Sequence, residues 1–176
     1  MRFSKNSHDH IVLVGMMGTG KTTVGRLVSC QMMRPFVDSD EQIELHTGRT
    51  VREIFESDGE GAFRKQEAEV LQRALAAPGG PRVIAAAGGV VLDRFNRRLL
   101  AEVSNVIWLR AKPPVLAMRV KAGVHRPLLE DDPLGALTRL LDEREPLYDE
   151  VATFAVDVDD IGPDDAATTI VGWVTT

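Results

Sequence analysis

The chain has 176 residues, of which 44% are hydrophobic and 27% charged, and its formal net charge is −5. That length and balance suit one domain with its own core and exclude a disordered chain. The acidic excess argues against a general nucleic-acid or anionic-membrane surface, and the single cysteine, Cys30, excludes a disulfide framework and a clustered Cys/His zinc site. The opening MRFSKNSHDH is polar, so His8 and His10 are expected to lie in a frayed terminus. It holds no apolar leader, and no later run reaches the roughly 18 to 20 apolar residues of a membrane span, so a cytoplasmic location is expected.

Ile11 to Val14 reads as an apolar strand, followed by Gly15-Met16-Met17-Gly18-Thr19-Gly20-Lys21-Thr22 and then by a helical stripe of Val24, Leu27, Val28 and Met32. This is a complete phosphate-binding loop. Its glycines let successive N–H groups converge on an anion, and the following helix points its positive end at the same spot. Lys21 reaches the outer phosphates, and the Thr22 hydroxyl is placed to bind Mg²⁺. The ligand expected is a nucleoside triphosphate. Cys30 sits in this first helix with no activating partner in view, which favours packing or surface exposure over catalysis.

A second strand, Phe36 to Val37, leads into Asp38-Ser39-Asp40. In open α/β sheets ligands bind beyond the carboxyl ends of strands, so both aspartates are expected near the phosphates, one supporting Mg²⁺ and one accepting from a substrate hydroxyl. The competing reading is that Asp40 merely caps a helix starting at Glu41. Thr50 with Glu53 makes a capping box, and from Glu60 to Leu75 the residues Phe63, Glu67, Val70 and Ala74 share one helical face. Glu67 interrupts that apolar stripe and needs a partner. Arg64, three residues earlier, can pair with it while presenting a fork to a ligand carboxylate, although a plain salt bridge fits equally well.

Val83 to Ala87 is a third strand, ending in Gly88-Gly89, which suits either a tight turn or close approach of backbone to a ligand. It lacks the aspartate that many phosphate-loop enzymes carry there, leaving Asp38 as the candidate for magnesium support. Val106 to Leu109 is a fourth strand. The segment 121–132, KAGVHRPLLEDD, reads as a mobile lid, from which Arg126 either swings over the transferring phosphoryl group or stays solvated. Asp132-Pro133 then starts a helix in which Arg144 lies on the apolar face of Leu137, Leu140, Leu141 and Tyr148, so its charge is expected to meet a buried ligand or acid. Phe154 to Val158 is the fifth strand, and Pro163 precedes the last helix. Alternation of this kind implies a single α/β domain over 1–176, a three-layer α/β/α sandwich.

In order and spacing, the phosphate loop, Asp38-Ser39-Asp40, Ala62-Phe63-Arg64-Lys65-Gln66-Glu67, Gly88-Gly89, Arg126-Pro127-Leu128-Leu129 and Arg144-Glu145-Pro146-Leu147-Tyr148 resemble the shikimate kinases over nearly the whole chain. The resemblance implies a P-loop NTPase fold like that of the nucleoside monophosphate kinases, with a five-stranded parallel sheet and a mobile lid. It implies transfer of the γ-phosphate of MgATP to the 3-hydroxyl of shikimate, a step toward chorismate and the aromatic amino acids. By that likeness Gly18, Thr19, Gly20, Lys21, Thr22 and Thr23 bind ATP, and Arg119 and Pro163 sandwich the adenine. Lys21, Asp40 and Arg126 are catalytic, with Lys21 and Arg126 on the transferring phosphate, and Thr22 and Asp38 serve Mg²⁺. Asp40 holds shikimate hydroxyls, Arg64 and Arg144 clamp the carboxylate, Glu67 orients Arg64, and Gly88 and Gly89 lie along the substrate. The partners expected are these two small molecules, with no nucleic acid or membrane, and the chain is expected to be a monomer. Ala87 stands where the family usually has a third glycine. If that position needs positive φ, alanine costs about 1 kcal/mol or somewhat more there. The rivals are a kinase for another small polyol acid such as gluconate, and a regulatory protein that binds shikimate or nucleotide without turnover.

Overall fold

A computed structural model describes residues 9–121 and 132–176. Its elements, in chain order, are β1 (Ile11–Val14), α1 (Lys21–Met32), β2 (Phe36–Asp38), α2 (Ser39–Thr47), α3 (Val51–Ala76), β3 (Val83–Ala85), a 3₁₀ turn (Val90–Leu92) and α4 (Arg94–Leu100). After these come β4 (Asn105–Arg110), α5 (Pro113–Lys121), α6 (Pro133–Val151), β5 (Phe154–Asp157) and α7 (Pro163–Val174). The five strands form one sheet in the order β2-β3-β1-β4-β5, and every pairing is parallel.

The central strand explains the layers. All four residues of β1 are fully buried, as a strand covered on both faces requires. Their side chains alternate: Val12 and Val14 enter a core with Leu71, Leu100, Trp108 and Leu137, whereas Ile11 and Leu13 enter one with Val24, Val28, Ala167 and Ile170. The first core lies under α3, α4 and α6, and the second under α1 and α7. A third, small cluster of Ile43, Ile54, Phe63 and Val70 ties α2 to α3.

Register brings the chemistry to one edge. Ile11 is opposite both Val83 and Asn105, and Asp38 is opposite Ala85, so the carboxyl ends of β1, β2, β3 and β4 open on the same side. The glycine loop, Asp38 and the Ala86–Gly89 turn therefore meet there, as the crevice rule for parallel sheets demands.

Several boundaries differ from the sequence reading. The second strand runs through Asp38, and Asp38, not Asp40, caps the next helix, its Oδ1 accepting from the amides of Asp40 and Glu41. Asp40 thus lies inside the first turn. The third strand stops at Ala85, the fourth gains Asn105 and Arg110, and the fifth stops at Asp157. Pro163 is the first residue of α7 and does not precede it. The Thr50–Glu53 capping box is present, and α3 continues past a break at Gly59 (φ 82°, ψ 171°), after which the segment expected from Glu60 resumes. His10 is not frayed: it is 2% exposed, its Nδ1 accepts from the Arg82 amide at 3.1 Å, and burial lowers its pKa. His8 lies outside the described residues. Cys30 is exposed, and no helix among the described residues is long and apolar enough to cross a membrane.

Candidate active site

The loop after β1 is built by backbone needs. Gly15 has φ +140°, and a Cβ there would come within 2.5 Å of the Leu109 carbonyl oxygen, so only glycine lets the loop pass β4. Gly20, at φ +87°, then opens α1 as its cap residue with no side-chain bond to the first-turn amides. No side chain at the cap residue competes for the first-turn amides, and Lys21, Thr22 and Thr23 of that turn line the cavity, which suits an anion at a helix start. The Lys21 ammonium folds back over the loop, donating to the carbonyls of Gly15 at 2.8 Å and Met16 at 2.9 Å. Thr22 Oγ1 donates to Asp38 Oδ2 at 2.6 Å, which joins the helix start to the end of β2. Thr19 is different: its buried hydroxyl donates to Met16 O at 2.8 Å, so it braces the loop from within.

A cavity of about 710 Å³ extends from this loop. Among its lining residues are Gly18, Gly20, Lys21, Thr22, Thr23, Asp38 and Asp40 at one end, Arg64, Glu67, Gly88, Gly89 and Arg144 at the other, and Arg119 from α5. The sequence-predicted residues thus converge, apart from Thr19 and Pro163, which do not line it, and Arg126 with most of segment 121–132, which lies outside the described residues. Arg119 is anchored, its Nη2 donating to Val158 O at 2.5 Å in the β5–α7 connection that ends at Pro163.

Arg64 and Glu67 resolve into more than a surface pair. Nη1 of Arg64 donates to Glu67 Oε2 at 2.7 Å, with the Glu67 side chain 2% exposed. Burial outweighs the attraction of Arg64 and pushes the Glu67 pKa up from 4.5 to about 7, with Asp40 adding to the rise and Arg144 opposing it. Gly89 is what admits the guanidinium: a Cβ at residue 89 would fall 1.8 Å from Arg64 Nη1. Gly88 is held from the other side, where Tyr148 Oη donates to its carbonyl at 2.5 Å.

Arg144, one helical turn before Tyr148, is only 2% exposed, and its Nε finds no acceptor among the described residues. Arg144 nevertheless lines the cavity, so the buried cation borders the space a ligand would fill. Tyr148 is fully buried and stacks on Trp108 with centroids 5.8 Å apart, and burial holds its hydroxyl un-ionised. Ala87 carries no penalty: Met33 is the only non-glycine with positive φ among the described residues. The condition for strain at Ala87 is therefore not met, and Ala87 lines the cavity.

The sequence reading missed part of the wall. Phe55 lies 4.7 Å from Phe63, centroid to centroid, and both line the cavity beside Met17 and Val51. Phe55 sits in the helical turn after the capping box, where nothing in the local pattern separates a ligand-facing ring from a core ring.

The comparisons agree with this geometry. The family model described as shikimate kinase matches residues 17–175. The chain is 50% identical over 146 residues to the shikimate kinase of Symbiobacterium thermophilum, covering 81% of this chain and 83% of that protein. It is 49% identical over 139 residues to that of Bradyrhizobium diazoefficiens, covering 78% of this chain and 66% of that protein. In three dimensions it matches a shikimate kinase from Acinetobacter baumannii, solved in complex with shikimate, with a TM-score of 0.88 and 37% identity over 94% of this chain and 92% of that one. With the phosphate loop and the two-arginine pocket in one cavity, the chain belongs to the shikimate kinase family.

Proposed function

We propose that this chain transfers the γ-phosphate of MgATP to the 3-hydroxyl of shikimate, giving shikimate 3-phosphate and ADP, as a single domain and a monomer. The observation that carries the reading is one cavity with a phosphate loop at one end and the buried Arg144 and partly buried Arg64 at the other. A ligand spanning it must present a carboxylate to the arginines and a hydroxyl toward Lys21 and Asp40. The A. baumannii protein was solved with that hydroxy acid bound.

The hydroxyl oxygen attacks the γ-phosphorus in line, the bond to the β-phosphate oxygen breaks, and the hydroxyl proton passes through Asp40 to solvent. The loose transition state asks little of a base, so Asp40 chiefly orients the hydroxyl. Lys21, already leaning over the loop, neutralises charge on the transferring group, and Arg126 does the same from the lid. Arg119 and Pro163 flank the adenine. Arg64 and Arg144 fix the acid, and the rings of Phe55 and Phe63 shield the apolar part of the carbocycle from water.

The donor set near the phosphates suits magnesium. Thr22 and Asp38 offer oxygen ligands 2.6 Å apart, and the described residues contain no group of three or more metal-binding side chains. The Thr22 hydroxyl and, through water, Asp38 would hold Mg²⁺ beside the triphosphate, where the ion would screen the phosphate charge. The test is a panel of shikimate, quinate and gluconate with MgATP, read by the phosphorylated product. Shikimate 3-phosphate is the expected product; turnover of gluconate alone would overturn the substrate assignment, and binding of shikimate without transfer would point to a regulatory protein.

A further inference from the structure

Arg64 is gripped from two sides that differ in kind. Toward the protein, Nη1 donates to the buried Glu67. Toward solvent, Nε and Nη2 both donate to Oε1 of Glu60, at 3.2 and 2.7 Å, and the Glu60 side chain is 51% exposed. The Nε–Nη2 edge is one of those on which a guanidinium receives a carboxylate through two parallel bonds.

We propose that Glu60 is an internal stand-in for the substrate's carboxylate, which occupies the side-on edge of Arg64 and must be displaced by an incoming acid. The inference rests on Arg64 as a carboxylate-binding residue. Three features favour competition over support. Glu67 already fixes the guanidinium, so Glu60 is not needed to orient it. Glu60 directly follows the Gly59 break, where the chain re-enters the helix, and its half-exposed side chain can turn into solvent at little cost. With Glu60 in place, a bound acid would be the third carboxyl group on one guanidinium, near Asp40, whose charge already reaches Glu67. An acid offsets the departure of Glu60 by making its own ion pair. A neutral polyol makes none and leaves Glu60 in place. Glu60 thereby sets acid affinity alone.

The test compares wild type with Glu60→Gln and Glu60→Asp, using steady-state kinetics with shikimate and calorimetric binding of shikimate and its methyl ester. Freeing an exposed ion pair predicts a KM for shikimate about two- to fivefold lower in Glu60→Gln. Neither the KM for ATP nor the affinity for the ester should follow it. Glu60→Asp, one methylene short of Arg64, should fall between the two, and it carries the test if the Gln variant melts early. An unchanged KM with active wild type refutes the role of Glu60 alone, and a raised KM makes Glu60 a support for Arg64. Wild type that fails to bind shikimate removes the assignment of Arg64 and this inference with it.

Discussion

The two ends of the cavity hold anions by different means. At the phosphate end the donors are main-chain amides and a lysine within one continuous loop, and the shape depends on glycines such as Gly15 and Gly20. At the acid end the donors are side chains from α3 and α6, eighty residues apart in sequence, brought together by packing on the sheet. The first is shaped mainly by its own backbone, with Leu109 of β4 and Asp38 of β2 as its distant neighbours. The second is correct only if the whole fold is, and it places charges where burial makes them expensive.

The contrast can be broken at either end. The largest effect is expected at the phosphate end: Lys21→Ala should lower kcat by about 10²- to 10³-fold, as removal of one charge-stabilising donor does elsewhere. Circular dichroism and melting should stay near wild type, because the Lys21 ammonium donates to carbonyls of its own loop and does not enter the core. Unchanged kcat would remove the ammonium from the mechanism.

At the acid end the first test is pH. Glu67 keeps its proton to about pH 7 when folded, while its ordinary value is 4.5, so between these values the folded chain holds a proton the unfolded chain has lost. Its contribution to stability is complete below pH 4.5 and lost as pH rises through 7, an effect of about 2 to 3 kcal/mol. Denaturant melts from pH 4.5 to 8 should show wild type losing this stability relative to Glu67→Gln. Parallel curves for the two proteins would place Glu67 in a wetter site.

Next in size, Arg64→Ala should weaken shikimate binding by about 2 kcal/mol or more while ATP affinity barely changes, since one partner of a charge-assisted pair is removed. Equal losses for both ligands in titration calorimetry would make Arg64 a fold residue. The smallest effect belongs to the segment that carries Phe55: Thr50→Ala removes the helix cap and should cost about 1 kcal/mol of stability. Chemical denaturation measures it, and a loss below a few tenths would mean that the Glu53 half of the box suffices.

The order of elements, the loop and the parallel sheet were legible in the chain because each rests on local rules: apolar runs for doubly covered strands, glycine where φ is positive, capping residues at helix starts. The pairing of Arg64 with Glu67 was legible as a possibility, since the two are one turn apart. Its burial was not, because exposure depends on the turn at Gly88 and Gly89 reaching over from β3. Asp38 takes the capping role that the competing reading gave to Asp40, because the helix starts at Ser39 and not at Glu41, a two-residue shift that local propensity does not resolve. His10 looked terminal and became core because its ring accepts from Arg82, a partner 72 residues away.

What the sequence by itself determined, then, is the phosphate grip and the layered α/β scaffold, both made from contacts between near neighbours and from backbone geometry. Only the tertiary structure decided that Glu67 holds its proton to neutrality and that Glu60 fills an edge of Arg64. The reason is physical: the energy of a charge is set by what surrounds it within a few ångströms, and those surroundings come from distant parts of the chain.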